Sequence, residues 1–179
     1  APDILSRRAT EFRSMAARRR LPAVALLAVL VTLAGCTGAV TDAANDGDYE
    51  RTTVTVVDEY DAELGTVDVR VADTYAKRYT GLSDTDSLGP NEGMLFVHDG
   101  EDQYAYVMRE MAFPLDILFI ATNGTITRIH HAELPPEGTT GPDLKRYRGS
   151  GKYVLEVPYG WTNRTGVEPG DAVEIAGAY

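Results

Sequence analysis

Short runs in which apolar and polar residues alternate constrain the fold of this chain more than any other feature of its sequence. Val67, Val69 and Val71 alternate with Asp68 and Arg70, and residues 53–57 follow the same pattern. A period of two predicts half-buried strands, because successive side chains of a strand point to opposite faces. Further short runs occur at 93–98, 103–109, 115–121, 125–133, 152–158 and 172–175. We therefore predict an all-β fold, a compact antiparallel β-sandwich or barrel-like domain.

The segments between these runs predict turns and one or two short helical insertions. Asp73 as a cap and Gly81 as a stop indicate a short helix, and residues 159–166 can hold a single helical turn. The acidic residues 99–102 predict a turn between two strands. The Asn-Gly pair at 123–124 predicts a hairpin with a type I′ turn, since both residues tolerate positive φ.

The first 50 residues are predicted to contain a targeting segment and a flexible tether, both of which precede the domain. A basic segment at 15–20 leads into an uncharged, mostly apolar run at 21–35, which is typical of a signal peptide and too short to span a bilayer. We interpret 1–14 as an upstream extension, 15–36 as the signal peptide and 37–50 as a flexible acidic tether. The β-rich domain then occupies 51–179.

The signal segment ends in Leu-Ala-Gly-Cys at 33–36, which resembles the lipobox of secreted lipoproteins. The resemblance implies that Cys36 becomes lipidated, and two acyl chains suffice for stable anchoring. We therefore expect an exported protein held on the outer face of the cytoplasmic membrane, with the membrane as a partner through the lipid. An uncleaved signal anchor is the alternative. Three arginines at 18–20 leave both the general secretory and the twin-arginine export routes open.

The domain carries a large excess of acidic residues. Positions 37–179 contain 11 basic and 25 acidic residues, a formal net charge of −14. Such a surface disfavours nucleic acid, because neutralising phosphates requires Lys and Arg. The charge indicates an extreme halophile or a surface that is simply soluble, and we favour the halophile. Two sequons, at Asn123 and Asn163, are candidate glycosylation sites in an exported protein.

Several motifs occur in a characteristic order along the domain. They are Arg-Tyr-Thr-Gly-Leu at 78–82, Gly-Met-Leu-Phe-Val at 93–97, Met-Arg at 108–109, Pro-Leu-Asp-Ile-Leu-Phe at 114–119, Tyr-Val-Leu-Glu-Val-Pro at 153–158 and Gly-Asp at 170–171. Together, over about residues 66–176, they resemble the family known as domain of unknown function 192. The resemblance implies a compact, often exported β-rich domain with no established activity.

The chain departs from that family in its central motif. Family members usually carry an aromatic-Trp-Met-Lys-Asn-Thr run, where this chain has Tyr-Val-Met-Arg-Glu-Met at 106–111. The methionine and the positive charge are kept, whereas the Trp, Asn and Thr are replaced. A ligand site that used the indole or the amide would therefore be altered here.

Asp116 is the carboxylate that the sequence marks for attention, because it lies inside the apolar run 115–121. Buried carboxylates need hydrogen bonds or a charge partner. One interpretation is structural, with backbone amides or Arg109 as the partner. The other places Arg109, Glu110 and Asp116 in a polar ligand cleft, where paired carboxylates could do general acid–base work.

Methionine and histidine side chains suggest a second kind of site. Soft thioether and imidazole ligands suit copper, and the candidates are Met94, His98, Met108, Met111 and His130. The structural interpretation is that the methionines fill gaps in the core. His130 and His131 are adjacent on a predicted strand and therefore face opposite ways. The only cysteine of the chain is Cys36, which excludes a Cys-based zinc site.

These observations predict a lipid-anchored extracytoplasmic domain that serves as a binding or accessory module without a cofactor, for a protein or small-molecule partner. A hydrolase-like or other enzyme that uses Asp116 with Arg109 or Glu110 is one alternative. A copper-binding protein is the other.

Overall fold

The computed structural model describes residues 49–177 and 179. The elements, in chain order, are β1 (Glu50–Val57), β2 (Glu63–Ala72), α1 (Tyr75–Thr80), β3 (Glu92–Tyr106), β4 (Leu115–Ile120), β5 (Ile126–Ala132), a 3-10 turn (Gly141–Asp143), β6 (Tyr147–Pro158), α2 (Trp161–Thr165) and β7 (Ala172–Ile175). The predicted all-β fold with two short helical insertions is confirmed. The upstream extension, the signal peptide with Cys36 and most of the tether lie outside the described residues, and β1 already begins at Glu50.

The strands form one curled sheet in the order β5-β4-β6-β3-β2-β1-β7. Its two edge strands approach each other at one end, where Thr125 and Ala172 form an isolated antiparallel bridge. Backbone bonds from Ile126 N to Asp171 O and from Val173 N to Gly124 O support this contact. The sheet is therefore a half-barrel, closed at one end. In the described residues no helix is long and apolar enough to cross a bilayer.

One strand pair departs from the predicted antiparallel arrangement. β2 and β3 are parallel, with Val69 opposite Gly93, whereas every other named pair is antiparallel. Parallel neighbours need a crossover, because a tight turn can join only antiparallel strands. The segment with α1 supplies that crossover, which carries the helix from the end of β2 back to the start of β3.

The two strands predicted on either side of the acidic turn are one strand. β3 runs from Glu92 to Tyr106 and pairs with β6 along both halves. The register shifts between Val97 and Asp102, so that residues 98–101 lie opposite Lys152. The acidic residues therefore form a bulge in a continuous strand, and the chain does not reverse there.

The predicted hairpin at 123–124 is present, but its turn is not type I′. Gly124 has a φ of 87°, whereas Asn123 does not lie in the positive-φ region. Gly124 N donates to Ala121 O, and Ala121 N donates to Thr125 O. This hydrogen-bond pattern is typical of a hairpin loop longer than the predicted type I′ turn, in which an ordinary turn is followed by a residue with positive φ. Asn123 Oδ1 accepts from Thr125 N, which occupies the side chain.

Two apolar clusters cover the opposite faces of the sheet. The first includes Val67, Leu118, Leu155 and the fully buried Trp161 of α2. The second lies beneath α1 and the loops, and it includes Met94, Phe96, Leu115, Ile117, Phe119 and Val154. Because strand side chains alternate, Asp116 shares the first face with Leu118, and Glu156 shares the second face with Val154.

Candidate functional site

A cleft of about 260 Å³ opens on the second face of the sheet, and we call it the Glu156 cleft. It lies between α1 with the loop that follows it, β3, the turn before β4, and β6. Its lining residues are Arg78, Tyr79, Thr80, Gly81, Leu82, Ser83, Phe96, His98, Tyr104, Ala105, Tyr106, Val107, Met108, Arg109, Met111, Leu115 and Glu156.

Local sequence signals place α1 at the edge of this cleft. Thr74 caps the helix by accepting a hydrogen bond from Lys77 N, one residue later than the predicted cap. Gly81 ends the helix as predicted, with a φ of 55° and its N–H donating to Lys77 O. A side chain at Gly81 would meet the ring of Phe96 at 3.3 Å, so this glycine also lets the helix end lie close to β3.

Glu156 lies on the central strand β6 and lines the cleft. The residue as a whole is 6 % exposed, and its cross-strand neighbours are Met94 and Ile117. Burial raises the pKa of Glu156 to about 8, because desolvation disfavours the charged form. At neutral pH this carboxyl therefore keeps its proton and can donate a hydrogen bond.

The Glu156 carboxyl has no hydrogen-bond or ion-pair partner in the part of the chain that the structure describes. Among the described residues the fully buried side-chain polar atom without a partner is Trp161 Nε1, so the small exposed part of Glu156 includes its carboxyl oxygens, which meet the cleft. An unpartnered group that lines a cleft is therefore available to a ligand.

Tyr106 and His98 form a polar pair in the same cleft. A hydrogen bond of 2.9 Å joins the Tyr106 hydroxyl and His98 Nε2. Burial, with the nearby charge of Arg78 as a second cause, lowers the pKa of His98 to about 4. Burial, followed by the proximity of Glu156, raises the pKa of Tyr106 well above its usual range. Both groups are therefore neutral at physiological pH.

Two guanidinium groups supply the positive charge of the cleft. Arg78 is half-buried, and its Nη1 donates to Asp73 O and Val97 O, each at 2.7 Å. Arg109 lies over the ring of Tyr79, 4.1 Å from the ring centroid, and also donates to Tyr79 O. The neighbouring carboxylates, Asp73 near Arg78 and Glu110 near Arg109, lie outside the cleft lining, so an anion in the cleft can still contact both guanidinium groups.

Asp116 does not line this cleft, because it lies on the opposite face of the sheet. It is fully buried and accepts four hydrogen bonds: from Gly160 N at 3.1 Å, Thr162 N at 2.9 Å, Thr162 Oγ1 at 2.7 Å and His131 Nδ1 at 2.7 Å. Its side-chain partner on β5 is thus His131, and the suggested pairing with Arg109 is not present. These contacts fit the structural interpretation, since they tie β4 to β5 and to the start of α2.

The structure separates the other two residues of the predicted polar cleft. Arg109 lines the Glu156 cleft, whereas the side chain of Glu110 is 80 % exposed and lies 4.0 Å from Arg109 Nε. Such an exposed pair contributes little to stability. Glu110 has a φ of 55°, an uncommon conformation for a residue with a side chain.

The five predicted copper ligands are only partly brought together. His98, Met108 and Met111 line the Glu156 cleft, whereas Met94 is fully buried in the second cluster and does not. His130 bonds to Arg148 O and packs edge-on against Phe119 and Tyr147. Among the described residues no group of three or more His, Cys, Asp or Glu side chains could hold a metal ion. Copper binding stays a prediction.

Two other predicted features lie on the surface. Asn123 is exposed in the β4–β5 turn and Asn163 is exposed in α2, and their glycosylation stays a prediction. A second cleft of about 480 Å³ lies under the 133–145 loop. Its charged residues Glu133, Asp143 and Lys145 are exposed, so it lacks the buried, unpartnered carboxyl that marks the Glu156 cleft.

Sequence reasoning missed Glu156, although the signal that marked Asp116 was present there as well. Each is a single carboxylate inside an apolar run, at 115–120 and at 153–157. The rule that buried carboxylates need a reason applies equally to both. Only the sheet shows that one of them is fully hydrogen-bonded and the other is not.

The fold and the cleft define a class of protein, a small half-barrel domain with a polar cleft on one face of its sheet. The family model described as DUF192, an uncharacterized ACR, matches residues 56–175. The chain belongs to this family, and the resemblance drawn from its motifs is confirmed. The match begins within β1, earlier than the motifs indicated.

Two solved structures share this fold. A protein from Sinorhizobium meliloti 1021, described as a candidate transcription regulator, is 31% identical with a TM-score of 0.63, and the match covers 71% of this chain and 95% of that one. A protein of unknown function from Novosphingobium aromaticivorans DSM 12444 is 30% identical with a TM-score of 0.58, and the match covers 68% of this chain and 83% of that one. A search of curated proteins found no match.

Proposed function

We propose that this protein is a lipid-anchored extracytoplasmic binding module whose ligand site is the Glu156 cleft. The observation that carries the proposal is Glu156, a residue only 6 % exposed whose carboxyl lines the cleft and has no hydrogen-bond or ion-pair partner within the described residues. A fold that leaves such a group unpaired loses stability unless a ligand or solvent satisfies it. The cleft is near the lower end of the range for small-molecule sites, so the ligand is small.

Binding is favoured over catalysis because the groups of the cleft are not arranged as a nucleophile with its base. Ser83 Oγ donates to Arg109 O at 2.9 Å, so its proton is directed at a backbone carbonyl. A nucleophilic serine instead needs a base within hydrogen-bond reach. The alternative enzyme built on Asp116 loses its geometric basis, since Asp116 and Arg109 lie on opposite faces of the sheet.

The acidic charge of the domain supports a small-molecule ligand over nucleic acid. One structural relative is described as a candidate transcription regulator, and that description applies to the relative. Here the 25 acidic residues of positions 37–179 outnumber the 11 basic ones. Phosphate neutralisation requires clustered positive charge, so DNA binding is disfavoured.

The cleft is tested by blocking it. A library of small polar compounds is screened by ligand-observed NMR against the wild type and the Ser83→Trp variant, since Ser83 is half-buried, lines the cleft and reaches Arg109 O with its side chain. The control is Ala62→Trp, at an exposed position between β1 and β2. We expect compounds that bind the wild type to bind Ala62→Trp equally and to lose binding to Ser83→Trp. Binding that survives in a folded Ser83→Trp variant, or a screen without hits, would overturn the proposal.

The anchor is tested at Cys36. In the native host, Cys36→Ser removes the thiol that accepts the lipid, so we expect the protein to move from the membrane fraction to the medium. Ser6→Ala, upstream of the signal segment, is the control and should leave the protein on the membrane. If Cys36→Ser stays membrane-bound, lipid anchoring is wrong, while the binding cleft is unaffected.

A further inference from the structure

Arg78 has unused hydrogen-bonding capacity in the Glu156 cleft. A guanidinium has five N–H donors, and the bonds from Arg78 to Asp73 O and Val97 O both come from Nη1. In the part of the chain that the structure describes, Nε and Nη2 have no partner and no carboxylate lies within 4.0 Å. Asp73 interacts with Arg78 electrostatically but beyond ion-pair distance, so the guanidinium keeps donors for an anionic ligand, and its planar fork matches a carboxylate.

The remaining groups of the cleft determine its net charge. The titratable or charged side chains that face Glu156 across the cleft are Arg78, Tyr79, His98, Tyr104, Tyr106 and Arg109. His98 is neutral above pH of about 4, because burial lowers its pKa. The pKa of Tyr104 and Tyr106 is raised, chiefly by burial, so both hydroxyls keep their protons. With Glu156 protonated, the two arginines are the charged residues among those that line the cleft. The carboxylates of Asp73, Asp99, Asp102 and Glu110 do not line it but lie near Arg78, His98, Tyr104 and Arg109 respectively.

The walls of the cleft add an apolar component. Phe96, Leu82, Met108 and Leu115 are almost completely buried and line the cleft beside Glu156. Apolar walls with a few convergent polar groups are typical of small-molecule sites. The ligand therefore combines a negative group for the guanidinium with a small apolar body.

We propose that the Glu156 cleft binds small organic carboxylates, with Arg78 holding the carboxylate and Glu156 taking part as a proton-bearing donor, so that binding is lost when Glu156 ionises. This inference rests on the proposed function, because it names the ligand class of the same cleft. Ionised Glu156 would place a negative charge beside the anion, in surroundings that screen charge poorly. The cleft would then release its ligand as the pH rises.

The probes that test the ligand class are benzoate, benzylamine and benzyl alcohol, which share a ring and differ in charge. Each is titrated by NMR into the wild-type protein at about pH 6, in a buffer without carboxylates and at constant salt. We expect benzoate to bind and the other two to bind at least about tenfold more weakly, as expected for loss of a charge-assisted hydrogen bond. Ser83→Trp should abolish the binding of benzoate.

Three variants distinguish the role of Arg78 in binding from that of Glu156. Arg78→Gln should weaken benzoate binding about tenfold or more, whereas Arg128→Gln, at an exposed arginine of β5 outside the cleft, should change it less than about twofold. In the wild type the affinity should fall about tenfold per pH unit above pH of about 8. Glu156→Gln keeps a neutral donor, so it should bind at pH 6 and lose this pH dependence. Equal unfolding temperatures check that each variant is folded.

The outcomes distinguish the ligand class from the binding site itself. If benzylamine or benzyl alcohol binds as tightly as benzoate and is blocked by Ser83→Trp, the carboxylate class is wrong and the binding cleft stands. If benzoate binds with the same pH profile in the wild type and in Glu156→Gln, the proton-bearing role of Glu156 is wrong. If neither these probes nor the compound library binds, the proposed function falls together with the ligand class.

Discussion

Asp116 and Glu156 are both carboxylates buried in the middle of the sheet, and their surroundings differ completely. Asp116 accepts four hydrogen bonds, two of them from backbone amides. Glu156 has no partner among the described residues, and its pKa is raised to about 8 by burial alone. Hydrogen-bond donors favour the charged form of a carboxyl, whereas desolvation favours the neutral form. The same residue chemistry therefore yields a structural anchor at one position and a proton-bearing group at the other.

The raised pKa of Glu156 makes stability depend on pH. The pKa is 4.5 for a free side chain and about 8 in the folded protein, so between these values the folded state holds a proton that the unfolded state has lost. The stabilisation that the folded state gains from holding this proton is complete below pH 4.5 and is lost as the pH rises to about 8. We expect the free energy of unfolding to fall in this window by on the order of a few kcal/mol relative to Glu156→Gln.

Urea unfolding at constant salt, followed by the fluorescence of Trp161, measures this difference, since Trp161 is the only tryptophan. The exposed Glu59 supplies the control Glu59→Gln, which should keep the pH profile of the wild type. Parallel profiles for the wild type and Glu156→Gln would show that Glu156 ionises normally in the folded protein.

Glu110 has a backbone conformation that its side chain disfavours. Its φ is 55°, in the left-handed region that Asn tolerates better than Glu. The family resemblance implies Asn at this position. We expect Glu110→Asn to raise the free energy of unfolding by up to about 1 kcal/mol. Urea unfolding measures the change, and Glu137→Asn, an exposed site without positive φ, controls for the lost charge. Equal effects of the two substitutions would exclude backbone strain at Glu110.

At the scale of elements, the alternation of side chains on the strands separates a structural face from a cleft face. On β4, Leu115, Ile117 and Phe119 pack into the second cluster, while Asp116 and Leu118 point to the first face. This alternation is readable from the sequence. The sequence does not show which face packs against α1 and which packs against α2, because that depends on how the connections pass over the sheet.

Asp116 joins three of these elements, so its loss should be costly. Asp116→Ala leaves the amides of Gly160 and Thr162 and the His131 imidazole without their acceptor. We expect the free energy of unfolding to fall by about 3 kcal/mol or more, with a smaller loss for Asp116→Asn, which keeps one oxygen acceptor. Denaturant unfolding measures this. Asp86→Ala, at an exposed position, should be nearly neutral, and a similarly small effect of Asp116→Ala would contradict the anchoring role.

At the scale of the whole molecule, the acidic charge is the dominant property. The formal net charge of the full chain is −10, although its first 36 residues are basic. Self-repulsion of such a surface opposes the compact state, and salt weakens the repulsion. The interpretation of the charge as halophilic stays a prediction.

That prediction is tested by dilution. On going from about 1 M to about 0.01 M KCl the Debye length grows from about 3 Å to about 30 Å, so repulsion between surface carboxylates is no longer screened. We expect the near-ultraviolet circular dichroism of the folded domain to be lost at low salt and to return with added KCl. Equal volumes of sucrose solution control for dilution. A spectrum that is unchanged at low salt would identify the acidic surface as one that serves solubility alone.

The strand pattern, the helix stop at Gly81, the hairpin and the family motifs are readable from the sequence, because each depends on residues close together in the chain, whereas the predicted cap at Asp73 lies one residue before the cap at Thr74. The turn predicted at 99–102 is wrong, since only pairing with β6 shows that β3 continues through these residues. The parallel pair of β2 and β3 was missed for the same reason, as a short helix between two strands does not define the direction of their pairing.

The sequence by itself determined an all-β domain, its family and one carboxylate, Asp116, placed in an apolar strand, while the same signal at Glu156 went unrecognised. Only the tertiary structure decided their roles. Asp116 meets the start of α2 and His131, whereas Glu156 meets a cleft whose walls come from α1, β3 and the turn before β4. The physical reason is that burial and hydrogen bonding depend on contacts between segments far apart in the chain, which periodicity along the chain does not record.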